Sequence, residues 1–205
     1  MTKTVLDEVA NLYSESFKEH GIDARGVGWT DEKRHWLRLS KLCELVVNDE
    51  RFSVNDLGCG YGALHTHLIE QGKFLTMYNG YEISAEMLNA ARTYLPTESV
   101  KVIEGSKLST MADYSFASGI FNVRFSESDA VWLKYIEDTL YNLSESSSKG
   151  FAFNLLTSYV DWKEGHLYYA DPMYFFDLCK KNFSKKVCLL HDYDLWEWTL
   201  VVRKD

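Results

Sequence analysis

The chain lacks most of what a redox or metal protein is built from. Its four cysteines, at 43, 59, 179 and 188, form no C-x-x-C pair and have no histidines at zinc spacing, so neither a dithiol motif nor a metal finger is indicated. Reduced thiols in a cytoplasmic protein are the simpler account. Long apolar runs are also missing: Met1, Thr2 and Lys3 lead into an amphipathic stretch, so no signal peptide or membrane span is expected. Basic residues are scarce, with 22 Lys and Arg against 30 Asp and Glu, and the net charge of −8 disfavours a nucleic-acid partner because it repels phosphate backbones. Lys180, Lys181, Lys185 and Lys186 make a local exception that reads as the solvated end of a helix. Asn142 and Asn182 open tripeptides of the glycosylation type, which carry little weight in a cytoplasmic chain. Only two prolines occur, and no repeats, low-complexity tracts or linkers suggest a second unit, so residues 1–205 are expected to form one domain.

Apolar surface, by contrast, is plentiful: 46% hydrophobic and 15% aromatic residues can close a core without a disulfide or structural metal. Val5, Leu6, Val9, Leu12, Tyr13 and Phe17 recur every three to four positions, one stripe of a helix that glycines 21, 26 and 28 end. Thr30 can cap a second helix, with Asp31 and Glu32 at the positive end of its dipole and Trp36, Leu39, Leu42 and Val46 as its buried face. Beyond position 52 short apolar runs alternate with helical stretches, the sign of a parallel sheet with crossover helices. Strands are expected near 52–57, 78–82, 100–104, 114–120, 150–156, 186–191 and 195–203, with helices at 62–71, 84–94 and 126–143 and another opened by Asp171 and Pro172 and running to about 182. Asp192 to Asp194 leave room for a hairpin and no crossover, so the last strand should run antiparallel. The expected fold class is α/β, with three layers and a seven-stranded sheet.

The strongest chemical signal is Asp56-Leu57-Gly58-Cys59-Gly60-Tyr61-Gly62, where a strand ends on an acid and alternating glycines lead into a helix. Each glycine lets the backbone turn sharply and approach a ligand without a Cβ between, and the helix start offers unpaired N–H groups. Glu82 closes the next strand at roughly the 20-residue distance where an acid in such folds reaches a ribose diol. Read as Gly58, Gly60 and Ala63, the same loop is a G-x-G-x-x-A dinucleotide fingerprint, which keeps an NAD(P)-dependent oxidoreductase as the rival. Asp56 ahead of the loop, the third glycine, the two leading helices and the terminal hairpin stand against it. A non-catalytic binding protein on the same scaffold is the remaining alternative.

The glycine loop, together with Tyr81-Glu82-Ile83-Ser84, resembles the class I S-adenosylmethionine-dependent methyltransferases over about residues 50–205. The resemblance implies a Rossmann-like methyltransferase fold and S-adenosyl-L-methionine as cofactor. It implies that Asp56, Gly58, Cys59, Gly60 and Gly62 hold the methionine part, Glu82 and Ile83 the ribose, and Gly105, Ser106 and Lys107 the adenine surroundings. Ser106 departs from the aspartate common there, which leaves that contact weaker or made by main chain. Gly119 and Asn122 fall where the fourth strand ends, a place of ligand contacts or of ordinary core. Residues 1–50 look like the helical lid of small bacterial members, ahead of a core at 51–205. Arg38 there could grip the cofactor carboxylate in two prongs, or pair with Glu44 or Asp31 at the surface; Trp29 could cover the cofactor or staple to the core.

With no room for a separate recognition domain, the expected partner is a small-molecule methyl acceptor; a homodimer stays open. The sulfonium is already activated, so alignment matters more than acid–base work. If a base is used, the candidates are Asn122, Asn154, Tyr159 and His166, of which His166 has the suitable intrinsic pKa. Asn154 is expected to end the fifth strand, either orienting an acceptor or satisfying a turn, and the stretch from Tyr159 to Tyr169, with Trp162 and Tyr168, is the expected wall of the acceptor pocket or else core. His191, Asp192 and Asp194 read as a solvated hairpin tip rather than metal ligands.

Overall fold

The computed structural model describes residues 3–27 and 31–204. Two helices, α1 (Lys3–His20) and α2 (Glu32–Cys43), lead into β1 (Arg51–Leu57), α3 (Ala63–Glu70), β2 (Phe74–Glu82), α4 (Ala85–Tyr94), β3 (Val100–Glu104) and β4 (Ala112–Ala117). Then come α5 (Asp129–Glu145), β5 (Ser147–Thr157), the two-residue β6 (Tyr169–Ala170), α6 (Pro172–Asn182), β7 (Lys186–Leu190) and β8 (Glu197–Arg203). Hydrogen bonding orders the sheet β3-β2-β1-β4-β5-β8-β7, with β6 extending β5. Strands β1 to β5 pair in parallel, while β8 runs antiparallel to both β5 and β7. The seven expected strands and the reversed last one are therefore present, the reversed strand slotted between its neighbours rather than at the edge.

The sheet is buried on both faces, as crossover helices demand. On one side α2, α3 and α4 cover Phe52, Val54, Phe116 and Val201; on the other α5 and α6 cover Leu57, Phe151, Phe153 and Leu200. Each such apolar side chain taken fully out of water stabilises by about 1.5–3 kcal/mol. Capping follows the sequence: Ser84, Ser128 and Asp171 accept from the first-turn amides of α4, α5 and α6. Asp31 caps α2 by accepting from the Lys33 amide at 2.8 Å, and the expected cap Thr30 lies outside the described residues.

Two strand limits differ in ways that matter for the site. β4 stops at Ala117 rather than 120, because Gly119 turns to φ +73° and gives its N–H to the Asn154 side chain instead of a ladder partner. β5 runs on to Thr157, held by β8 through the pairs Asn154↔Thr199 and Leu156↔Glu197, so Asn154 lies inside the strand, fully buried, and not at its end.

Candidate active site

A pocket with about 990 Å³ of empty volume, its mouth included, opens at the carboxyl ends of β1, β2, β3 and β4. That is the crevice where open α/β sheets gather ligands. Its floor is the loop after β1. Gly58, Gly60 and Gly62 take φ of +74°, +57° and +97°, values open to glycine at no steric cost. A Cβ on Gly58 would stand 2.2 Å from the Ile120 Cγ2.

Four amides of this loop are paired within the protein, while no side chain caps the start of α3. Gly58 and Cys59 both donate to the Tyr81 carbonyl at 2.8 and 3.0 Å, Gly62 donates to the Cys59 carbonyl, and Gly60 donates to Glu82 Oε2 at 2.8 Å. The loop is thus cross-braced to the end of β2, and its glycines allow a ligand close approach.

Two carboxylates dominate the electrostatics. Glu82 accepts from the amides of Gly60, Ile83 and Ser84, the last two at 2.7 and 2.8 Å on Oε1. Burial raises its pKa, and those three donors oppose the rise. Burial also pushes the Asp56 carboxyl up to about 7, against the bond donated by the Tyr78 hydroxyl at 2.5 Å and with Glu82 adding repulsion. An acid-lined cavity suits a ligand that carries positive charge.

Facing these acids are α1 and α2. Leu6, Val9 and Tyr13 of α1 line the cavity, with His35, Arg38 and Leu39 of α2. Arg38 is buried and does make a two-pronged contact, but with Glu197 at the head of β8: Nε donates to both carboxylate oxygens at 3.0 and 2.9 Å, and Nη2 donates to Oε2. The surface pairing with Glu44 or Asp31 is thereby overturned. Burial, with Arg38 and His67 adding to it, drives the His35 pKa down to about 4, so its ring is neutral at physiological pH. Helix α1 is tied down by the Ser14 and Ser84 hydroxyls, 2.9 Å apart and buried, and by the Lys18–Glu86 ion pair at 3.3 Å.

Of the residues singled out in the sequence, Asp56, Gly58, Cys59, Gly60, Glu82 and Ile83 line this one cavity, as do Gly105, Ser106, Gly119 and Arg38. Gly62 does not: it precedes α3, where a Cβ would strike Leu95 at 2.7 Å. Trp29 lies outside the described residues. None of the four base candidates lines the cavity. Asn154 spends its Oδ1 on Gly119 and leaves Nδ2 without a partner. Asn122 sits in the loop past β4, its Oδ1 buried and without a partner. His166 is half exposed beside Glu164, and Tyr159 is 64% exposed beside His191.

The expected aromatic wall does not line this cavity. Residues 166–168 are zipped to 122–125, with Arg124 and Phe125 donating to the His166 carbonyl and Tyr168 to that of Asn122, while Trp162 is 69% exposed. The aromatic lining comes instead from Tyr13, from Tyr81 of β2 and from Trp132 and Tyr135 of α5. A helical stripe in the sequence could have flagged Tyr13 only as core. His191, Asp192 and Asp194 form an exposed turn, and no cluster of metal-ligating residues occurs among the described residues.

The profile of the methyltransferase domain family matches residues 55–146. A protein of Mycobacterium tuberculosis (strain ATCC 25618 / H37Rv) named "Putative methyltransferase Rv1506c" is 50% identical over 163 residues, 78% of this chain and 98% of its own length. The chain belongs to the class I S-adenosylmethionine-dependent methyltransferases. It is accordingly a methyltransferase whose cofactor is S-adenosylmethionine, which retires the oxidoreductase and the non-catalytic alternatives. Among solved structures, the magnesium protoporphyrin IX methyltransferase of Synechocystis PCC 6803 with bound SAH matches with a TM-score of 0.72 at 13% identity, covering 100% of both chains. The DhpI–SAM–HEP complex matches at 0.70 and 11% identity, also over 100% of both chains. At such identities the likeness lies in the fold of this methyltransferase.

Proposed function

We propose that this chain transfers the methyl group of S-adenosylmethionine to a small-molecule acceptor, a metabolite or biosynthetic intermediate, inside the cavity between the glycine loop and α1. The carrying observation is the make-up of the cavity: the strip Leu6, Val9 and Tyr13, with His35 and Arg38, lines it together with the acids of its floor. A macromolecular acceptor would have to thread its target atom beneath two helices.

The residues present fit the cofactor. Bound here, S-adenosylmethionine would supply an activated methyl group for in-line transfer to the acceptor atom. Glu82, fixed by three main-chain donors, keeps one lone pair, on Oε2, for a ribose hydroxyl. Asp56 and Glu82 give the cavity the negative charge that a sulfonium complements. Gly58, Cys59 and Gly60 let the methionine part lie against main chain, and Gly105 and Ser106 border the adenine end. Arg38 is proposed to face the cofactor carboxylate while Glu197 holds it in place. Residues 1–50 act in this reading as a lid on a core at 51–205.

The test is transfer of radiolabel from S-[methyl-14C]adenosylmethionine to a cell extract split into metabolite, protein and RNA fractions. Label in the metabolite fraction is expected; label confined to protein or RNA overturns the small-molecule reading.

A further inference from the structure

Several tyrosine hydroxyls of this fold are held by partners in the protein: Tyr78 bonds Asp56, Tyr81 bonds Ser109 and Thr110, Tyr114 bonds Asp49, and Tyr193 bonds Thr199. Tyr13 differs from these. It lines the cavity, yet among the described residues no group hydrogen-bonds its hydroxyl. Arg38 and Glu82 line the same cavity, and both act on the charge of the phenol. Leu6 and Val9, its neighbours on the inward strip of α1, offer no polar atom, so the hydroxyl is what this face of the lid presents.

Its position is also fixed. Ser14, the next residue, bonds Ser84, whose amide donates to Glu82, so the segment carrying Tyr13 is braced against the residue that holds Glu82. A positioned polar group on a rigid element, with nothing in the protein to bind, is what recognition of a reacting atom needs.

We propose that Tyr13 is a catalytic residue of the methyl transfer, its hydroxyl lying against the transferable methyl and hydrogen-bonding the nucleophilic atom of the acceptor. This rests on the cavity reading above. Burial raises the pKa of the phenol, so it works as a neutral hydrogen-bond partner and takes no proton. The role is one that the four base candidates, all outside the cavity lining, do not fill.

The experiment is Tyr13→Phe in the full chain, which keeps the ring and its packing. Calorimetry with S-adenosylmethionine and S-adenosylhomocysteine should give dissociation constants within about threefold of the parent, since the cofactor's main holds are elsewhere. Label transfer to the metabolite extract should fall about tenfold or more, the effect of one hydrogen bond made to the reacting atom. With S-[methyl-13C]adenosylmethionine bound and no acceptor present, the methyl resonance should shift between parent and variant, which loss of packing alone would not cause. An unmoved resonance, or label transfer at the parent rate, overturns the proposal. If the parent itself gives no heat with S-adenosylmethionine, the cavity reading fails first and takes this proposal with it; parent binding with a silent Tyr13→Phe sinks only the tyrosine.

Discussion

Arg38 of α2 and Glu197 of β8, 159 positions apart in sequence, form a buried two-pronged ion pair at the edge of the cavity. Glu197→Ala should cost about 3–5 kcal/mol, because removing one partner leaves the other charged in a poorly solvated place. Replacing both by apolar residues of similar size should recover most of that loss, and if the pair serves the cofactor it should still weaken binding. Chemical denaturation of the single and double variants checks the first part and calorimetry with S-adenosylmethionine the second.

Asp56 sets a pH dependence. Its carboxyl titrates near 7 in the fold against an ordinary value of 3.8, so the folded chain holds a proton that the unfolded chain has lost. The stability contributed is complete below about pH 4 and is lost as pH rises through about 7. His35, held down near 4, acts in the opposite sense between about 4 and 6.5, so the informative quantity is the difference between the parent and Asp56→Asn. That difference should shrink as pH rises from 5 to 8. A cationic ligand favours ionised Asp56, so S-adenosylmethionine should bind more tightly at pH 8 than at pH 6 and release protons near 7, as read by calorimetry in buffers of different ionisation heat.

Glu82→Ala removes the acceptor for the Gly60, Ile83 and Ser84 amides along with the proposed ribose contact. Hydrogen bonds to charged groups are worth about 1.5–3 kcal/mol, so affinity for S-adenosylmethionine should drop at least about tenfold, with some loss of thermal stability. Glu82→Gln keeps one carbonyl oxygen and should lose less. Equal affinity in all three proteins, measured by titration calorimetry, would remove Glu82 from the site.

The fold was readable because its signals are local. Alternation of apolar runs with helical stripes marks parallel strands, and the few residues from Asp192 to Asp194 force a hairpin. The cavity floor was readable for the same reason: Asp56, the glycines and Glu82 sit at strand ends whose order the sequence announces. What escaped depends on tertiary placement. Whether Tyr13 faces core or cavity is decided by where α1 docks, and a stripe looks the same in either case. Arg38 finds Glu197 only because β8 inserts beside β5. Asn154, Tyr159 and His166 fall outside the cavity lining because β5 runs longer than its apolar run and its following loop is pinned to residues 122–125.

Gly119 joins these parts. Its φ of +73° penalises any side chain, and a Cβ there would lie 2.5 Å from Nη1 of Arg38. Gly119→Ala should therefore strain the turn and press on the guanidinium, displacing it from Glu197 or displacing the loop from Asn154, whose Oδ1 accepts the Gly119 amide. The combined cost should be about 1–3 kcal/mol, the scale of strained backbone in a well-determined site. Because both changes act through Arg38, Gly119→Ala and Glu197→Gln should not add: residues sharing a partner couple by about 0.5–3 kcal/mol. A double-mutant cycle in urea reads that coupling, and strict additivity would mean that the turn yields without touching Arg38. The same cycle with calorimetry on S-adenosylmethionine asks whether the coupling reaches the ligand, as it must if Arg38 faces the cofactor.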